Sequence, residues 1–217
     1  RLYHEALRLT ELGDHAFTRT WVQTGYCIAL IHLYDLETLS QVCAPMIAES
    51  QELGFPNWLA QGLVWSGWAT SEGGDPERGL DMVRQGLEIW NMTGARLMRP
   101  YLESRLLAVQ LTLDQLDDAE ASYLDICRLT EETGEMWSAA ETHRLGAQVA
   151  RRRHGPSSQE AQERAARGLA LARRQGALLY EVDLLADLAR HGPAAGGTRD
   201  ARDELEAALT RLPETHH

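Results

Sequence analysis

Three features of the sequence predict an all-α fold of about five stacked helix pairs with a period of about 40 residues. Glycines recur behind helical-looking runs at a fixed interval, small residues recur in step with them, and strand signals are nearly absent. The glycines lie in Leu12-Gly13, Leu53-Gly54, Thr93-Gly94, Thr133-Gly134 and Gln175-Gly176, spaced by 41, 40, 40 and 42 residues. A glycine just past a helix stops it, because glycine enters the left-handed region without a Cβ clash. Fifteen residues before the later glycines stand Leu39, Gly79, Ala119 and Ala161, with Ala201 next. Eight before them stand Met46, Gly86, Ile126 and Gly168, with Ala208 next. Positions seven apart share one helix face, so each second helix carries a face suited to close packing. About thirteen residues after the glycines stand Cys27, Gly67, Leu107, Ala147 and Ala189, the matching spots of the first helices. No sustained apolar–polar alternation and no Asn-Gly or Asp-Gly hairpin occurs.

The elements follow in order. Residues 1–12 read as the remnant of a preceding second helix, and units follow at 13–53, 54–93, 94–133, 134–175 and 176–212. First helices are expected near 14–33, 56–71, 97–113, 136–152 and 178–190. Second helices are expected near 36–52, 76–92, 117–132, 158–174 and 199–211. Asp75-Pro76 supplies an N-cap followed by proline at the first helical position, and Pro56 opens its helix in the same way. Ser157 and Ser158 are candidate caps, His191–Thr198 reads as the longest loop, and Pro45 is expected to kink its helix. One pair cannot bury its own apolar face, so neighbouring pairs must stack into a single solenoid over 1–212 with a concave face lined by first helices. Residues 213–217 form a tail that reads as tag-derived, and His216 and His217 are set aside for that reason.

Composition narrows the function. The 217 residues are 44% hydrophobic and 24% charged, the balance of a globular chain. The net charge of -11 argues against general binding to nucleic acid, which needs a basic surface. All 21 basic residues are Arg, a usage that suggests a GC-rich bacterial genome. Charge is uneven: residues 151–174 hold seven Arg against two acids. That run reads either as a solvated helix face or as a contact patch for an acidic partner. The stretch Trp21–Leu33 is too short and too polar to span a bilayer, so no membrane association is expected. Three scattered cysteines without a CxxC pair fit a reduced, cytoplasmic setting. An Arg at residue 1, inside a helical run, suggests a segment of a longer polypeptide.

The small-residue registers resemble tetratricopeptide architecture, although the family's period is about 34 residues. A closer likeness lies in longer runs. Gly67-Trp68-Ala69 with Gly79-Leu80, and Thr93-Gly94-Ala95 with Pro100-Tyr101-Leu102, are two of them. Thr133-Gly134-Glu135-Met136-Trp137 with Ala140–Gly146, and Ala170–Ala177 with Leu188-Ala189-Arg190, are two more. They resemble the C-terminal repeat regions of bacterial multidomain signalling proteins, in which a class III adenylate or guanylate cyclase or a LuxR-type DNA-binding domain is joined to a STAND-type ATPase. The likeness covers about residues 54–209. It implies a right-handed superhelix acting as a regulatory module, with the cyclase and ATPase motifs themselves absent from this segment.

Motifs of catalysis are missing. A chain without Lys has no GxxxxGK[ST] loop, and no GxGxxG, GxSxG or HExxH occurs. Asp117-Asp118 and Glu131-Glu132 read as helix-end acids, and Cys27 and Cys43 as small apolar packers. No cofactor, metal or enzymatic activity is expected of the segment. Five tryptophans (Trp21, Trp58, Trp65, Trp68 and Trp137) fall in expected first helices, and Trp90 falls in a second.

The tetratricopeptide pattern places the concave strip six and three residues before, and one after, each small first-helix position. Its members are Trp21, Thr24 and Ile28; Gln61, Val64 and Trp68; Tyr101, Ser104 and Ala108; Glu141, Arg144 and Gln148; and Asp183, Ala186 and Arg190. The strip is aromatic at one end and charged at the other, and Trp, Tyr and Arg are the types that anchor interfaces. The expected function is a non-catalytic interaction and regulatory module. Its partner would be a protein or peptide, including its own ATPase or cyclase domain. The rival readings are a small-molecule sensor and a self-associating homo-oligomer.

Overall fold

A computed structural model describes residues 2–12, 15–156, 158–191 and 197–212. Regular structure among these residues is entirely helical. The helices are α1 (Leu2–Leu12), α2 (Ala16–Leu33), α3 (Leu36–Glu52), α4 (Pro56–Glu72), α5 (Pro76–Thr93) and α6 (Arg99–Thr112), then α7 (Leu116–Thr133), α8 (Ala139–His154), α9 (Gln159–Gln175), α10 (Leu178–His191) and α11 (Gly197–Leu209). None of them is long and apolar enough to cross a membrane.

The glycine ladder is a set of helix stops. Gly54, Gly94, Gly134 and Gly176 have φ of 68°, 70°, 71° and 65°. Asp75 caps α5 by accepting from the Arg78 N–H at 3.3 Å, and Ser158 caps α9 by accepting from the Ala161 N–H at 3.3 Å. Asp117 and Asp118 sit in the first turn of α7, where acids suit the helix dipole. Gly13, Ser157, the middle of the expected loop at 192–196 and the tail 213–217 lie outside the described residues. One expectation needs correction: Trp137 lies in the turn before α8 rather than in a helix, and its indole N–H donates to Glu135 Oε1 at 2.8 Å. Pro45 lies inside helix α3, as the sequence places it.

The chain falls into two compact units, Arg1–Leu113 and Asp114–His217. In the first, each helix packs on the next, and α2 on α4 and α4 on α6 also meet. In the second, consecutive helices from α7 to α11 pack in the same way, and α8 meets α10. Consecutive contact plus contact between alternate helices is the packing of a helical repeat. Every position of the three small-residue registers is buried. The backbones of α4 and α5 approach each other closely. A Cβ on Gly67 would stand 2.7 Å from the Gly79 carbonyl oxygen, and one on Gly79 would stand 2.6 Å from the Gly67 oxygen. In the second unit Gly146 makes room for the Tyr123 ring, on whose face Arg164 stacks at 4.1 Å.

Candidate functional site

The aromatic end of the expected strip lies in the first unit, and most of it is core. Trp21 is 60% exposed and sets its ring edge-on to Trp58 at 5.8 Å. Thr24 is buried and donates to the Thr20 carbonyl at 2.9 Å. Gln61, Val64, Trp68, Tyr101 and Ser104 are all buried. The chain itself fills this end. Arg105, also buried, lies 5.6 Å from the Trp68 ring and 5.3 Å from the Tyr101 ring, and its Nε and Nη2 donate to Ser104 Oγ at 3.3 and 3.2 Å. Tyr34 meets Trp68 edge-on at 5.7 Å.

The charged end lies wholly in the second unit, and here the residues converge. Helices α8 and α10 carry them on facing stripes at i+3 and i+4 spacing. Arg144 grips Glu141 with two bonds, Nε to Oε2 at 2.7 Å and Nη2 to Oε1 at 2.9 Å. It also reaches across to Asp187 Oδ2 at 3.3 Å, and Gln148 Nε2 donates to the same oxygen at 3.0 Å. Arg151 continues the stripe, with Nη2 3.6 Å from that oxygen. Glu141 and Asp187 are each 6% exposed. Burial works to lower the Arg144 guanidinium, but Glu141, Asp187 and Asp183 outweigh it and hold the group above its ordinary value. For Arg151 burial prevails and, aided by the charge of Arg144, lowers it against the pull of Asp187. Asp183 keeps an exposed edge, yet crowding by protein atoms, then the Glu141 carboxylate, pushes it up to about 6. Arg190 is exposed one turn past Asp187.

Beside this cluster a recess of about 400 Å³ opens between the C-terminal ends of α8 and α10, lined by Gln148, Arg151, Arg152, Asp187, Arg190 and His191. The sequence-derived strip includes Gln148 and Arg190 but omits Asp187 and Arg151. Arg151 follows from extending the α8 stripe by one more turn (141, 144, 148, 151), and Asp187 from stepping four rather than three residues past Asp183 on α10 (183, 187, 190).

The Arg-rich run is largely engaged inside the second unit. Arg153 donates to Asp117 Oδ1 at 2.6 Å, and Arg164 holds Glu120 through bonds of 2.8 and 2.6 Å and also pairs with Glu160. Arg173 bridges Glu181 at 3.1 Å and Glu204, and Arg152 lies 3.6 Å from Asp114. These pairs tie α8 and α9 to α7 and the turn before it, and α9 to α10 and α11. Among the described residues no group of three or more His, Cys, Asp or Glu is placed to hold a metal ion. Neither a protein-family model nor any curated protein matches the chain.

Proposed function

We propose that this chain is a non-catalytic interaction module, a tetratricopeptide-like superhelix of about five helix pairs within a larger cytoplasmic bacterial regulator. It binds a segment of a partner protein or of a neighbouring ATPase or cyclase domain. The observation that carries the reading is the convergence of Glu141, Arg144, Gln148, Asp187 and Arg190 on α8 and α10 beside an open recess. The aromatic end of the strip is filled by Arg105 and Tyr34, so the binding face narrows to α8 and α10. Arg144 serves as its scaffold, and Gln148 and Arg190 are the groups a segment would touch.

The test is selection of a random peptide library on the purified chain. Enriched peptides whose binding is lost in Gln148→Ala/Arg190→Glu but kept in Trp21→Ala support the reading. An unenriched library, or binding that depends on Trp21 alone, refutes it. A second reading, the small-molecule sensor, is favoured by the size of the recess, since ligand pockets span about 300–1,000 Å³.

A further inference from the structure

Two thiols meet inside the first unit. Cys27 lies on α2 and Cys43 on α3, each eight residues from Asp35 in the short turn between the helices. In a hairpin of two helices, residues equally far from the turn lie at the same height across the seam. The side chains do meet there. Their Sγ atoms are 3.8 Å apart, and both residues are fully buried. A disulfide needs the sulfurs at about 2.0 Å, so the remaining approach is about 1.8 Å. Cys127 lies in the other unit.

Packing alone does not ask for sulfur at this spot. Cys27 is the small position of its helix, and Cys43 stands four residues past Leu39 in the second-helix register. The same two positions are Gly67 with Val83 in the unit at 54–93, and Ala147 with Ala165 in the unit at 134–175. A Cβ on Gly67 would stand 2.9 Å from Val83 Cγ2, so that pair meets as well. Ala147 and Ala165 are both buried. Residues without sulfur therefore fill the equivalent places. Two cysteines in contact have one property that Gly, Val and Ala lack, which is that they join.

We propose that Cys27 and Cys43 form an oxidative modification site, a dithiol that hydrogen peroxide converts into a disulfide stapling α2 to α3. In a reducing setting such bonds are transient and respond to oxidants. The hydrogen bond to Cys43, then burial, keep the Cys27 thiol protonated in the closed pair. Oxidation therefore waits on a local opening of the two helices. On opening, one thiolate attacks a peroxide oxygen and the O–O bond breaks. The sulfur becomes a sulfenic acid, and hydroxide leaves as water with the thiol's proton. On reclosing, the second thiol attacks that sulfur. The S–S bond forms, the S–O bond breaks, and hydroxide leaves with the second proton as another water. The sulfurs lose two electrons and the peroxide gains them. A small dithiol reverses the bond by thiol–disulfide exchange. The site needs no partner and does not rest on the α8 and α10 binding face.

The experiment treats the purified chain with hydrogen peroxide in native buffer, blocks the remaining thiols with iodoacetamide in urea, and cuts with a Glu-specific protease. Glu37 lies between the two cysteines, so their fragments part unless they are bonded. The site predicts joint loss of alkylation at Cys27 and Cys43, with their fragments joined until dithiothreitol is added. The reaction quickens in sub-denaturing urea, which favours opening. The oxidised chain keeps its helical circular dichroism and melts several degrees above the reduced chain, because the bond ties residues 16 apart in the unfolded state. Cys27→Ala and Cys43→Ala, which copy the Ala147 and Ala165 residues, show no such rise. The fragment map uses the wild-type chain and decides the matter whether or not the variants fold. Fragments joined to Cys127 or to a second chain, or sulfinic acid at Cys27 or Cys43 without joined fragments, overturn the site. So does peroxide that oxidises Cys127 and leaves both buried thiols alkylatable, or an oxidised chain that melts no higher than the reduced one. Neither result bears on the peptide selection.

Discussion

Replacing Gly67 with Ala should destabilise the first unit, while the same replacement at Gly25 should stabilise it. Both glycines lie inside helices, so both changes gain about 0.5–1 kcal/mol of helix propensity. The surroundings decide the sign. At Gly25 an added Cβ meets nothing within 4 Å. At Gly67 it would lie 2.7 Å from the Gly79 carbonyl oxygen and 2.9 Å from both Met82 Cβ and Val83 Cγ2. The first of these is backbone, so α5 as a whole must move and loosen its seat on α4. Overpacking of this kind costs about 1–3 kcal/mol or more, so the net loss at Gly67 is on the order of 1–2 kcal/mol. Urea unfolding followed by tryptophan fluorescence reads it directly, since five of the six tryptophans lie in residues 1–113. A Gly67→Ala protein as stable as the wild type, or a Gly25→Ala protein destabilised to the same degree, would refute the packing argument.

Arg144→Ala removes two hydrogen bonds from buried Glu141 and takes one donor from Asp187. Breaking such a pair costs about 3–5 kcal/mol, and a denaturation midpoint unchanged from wild type would contradict the scaffold role of Arg144. The Asp183 carboxyl, raised from its ordinary 3.8 to about 6, makes the folded state the stronger proton binder between those values. Stability therefore falls as pH rises through that window. Asp183→Asn should gain on the order of 1 kcal/mol at neutral pH, a figure reduced for solvent screening, with the gain vanishing near pH 4; a pH-independent difference would count against the assignment. Cys27 and Cys43 are fully buried, with their Sγ atoms 3.8 Å apart. The thiol hydrogen bond between them, then burial, push the Cys27 thiol up, and burial raises Cys127 as well. A thiol reagent at pH 8 should reach at most one cysteine quickly in the native protein and all three in urea; rapid loss of two native thiols would contradict this.

Much of the fold was legible because its signals are local. A left-handed stop needs only glycine, and Gly54, Gly94, Gly134 and Gly176 supply it. Close packing needs small side chains at i and i+7, and Gly79 with Gly86 and Ala161 with Gly168 all turn out buried. The helix stop at Leu113/Asp114 was not legible, because it falls within an expected repeat and carries no glycine; Asp114 itself takes φ of 57°. Trp137 was drawn into a helix by periodicity, although its unit begins with a turn that the indole braces through Glu135. The strip was half legible. Counting along a helix finds which residues share a face, and it brought Glu141, Arg144 and Gln148 together. It does not show what covers that face, so Arg105 capping Trp68 and Tyr101 could not be foreseen. The Arg run was misleading for the same reason: Arg153 and Arg164 find Asp117 and Glu120 across 36 and 44 residues of chain.

Hydrogen–deuterium exchange with and without a selected peptide tests most directly whether α8 and α10 form the binding face. The account predicts added protection in segments 141–152 and 183–191, with residues 16–112 unchanged. Protection confined to α2 and α4 around Trp21, or none in α8 and α10, would contradict it.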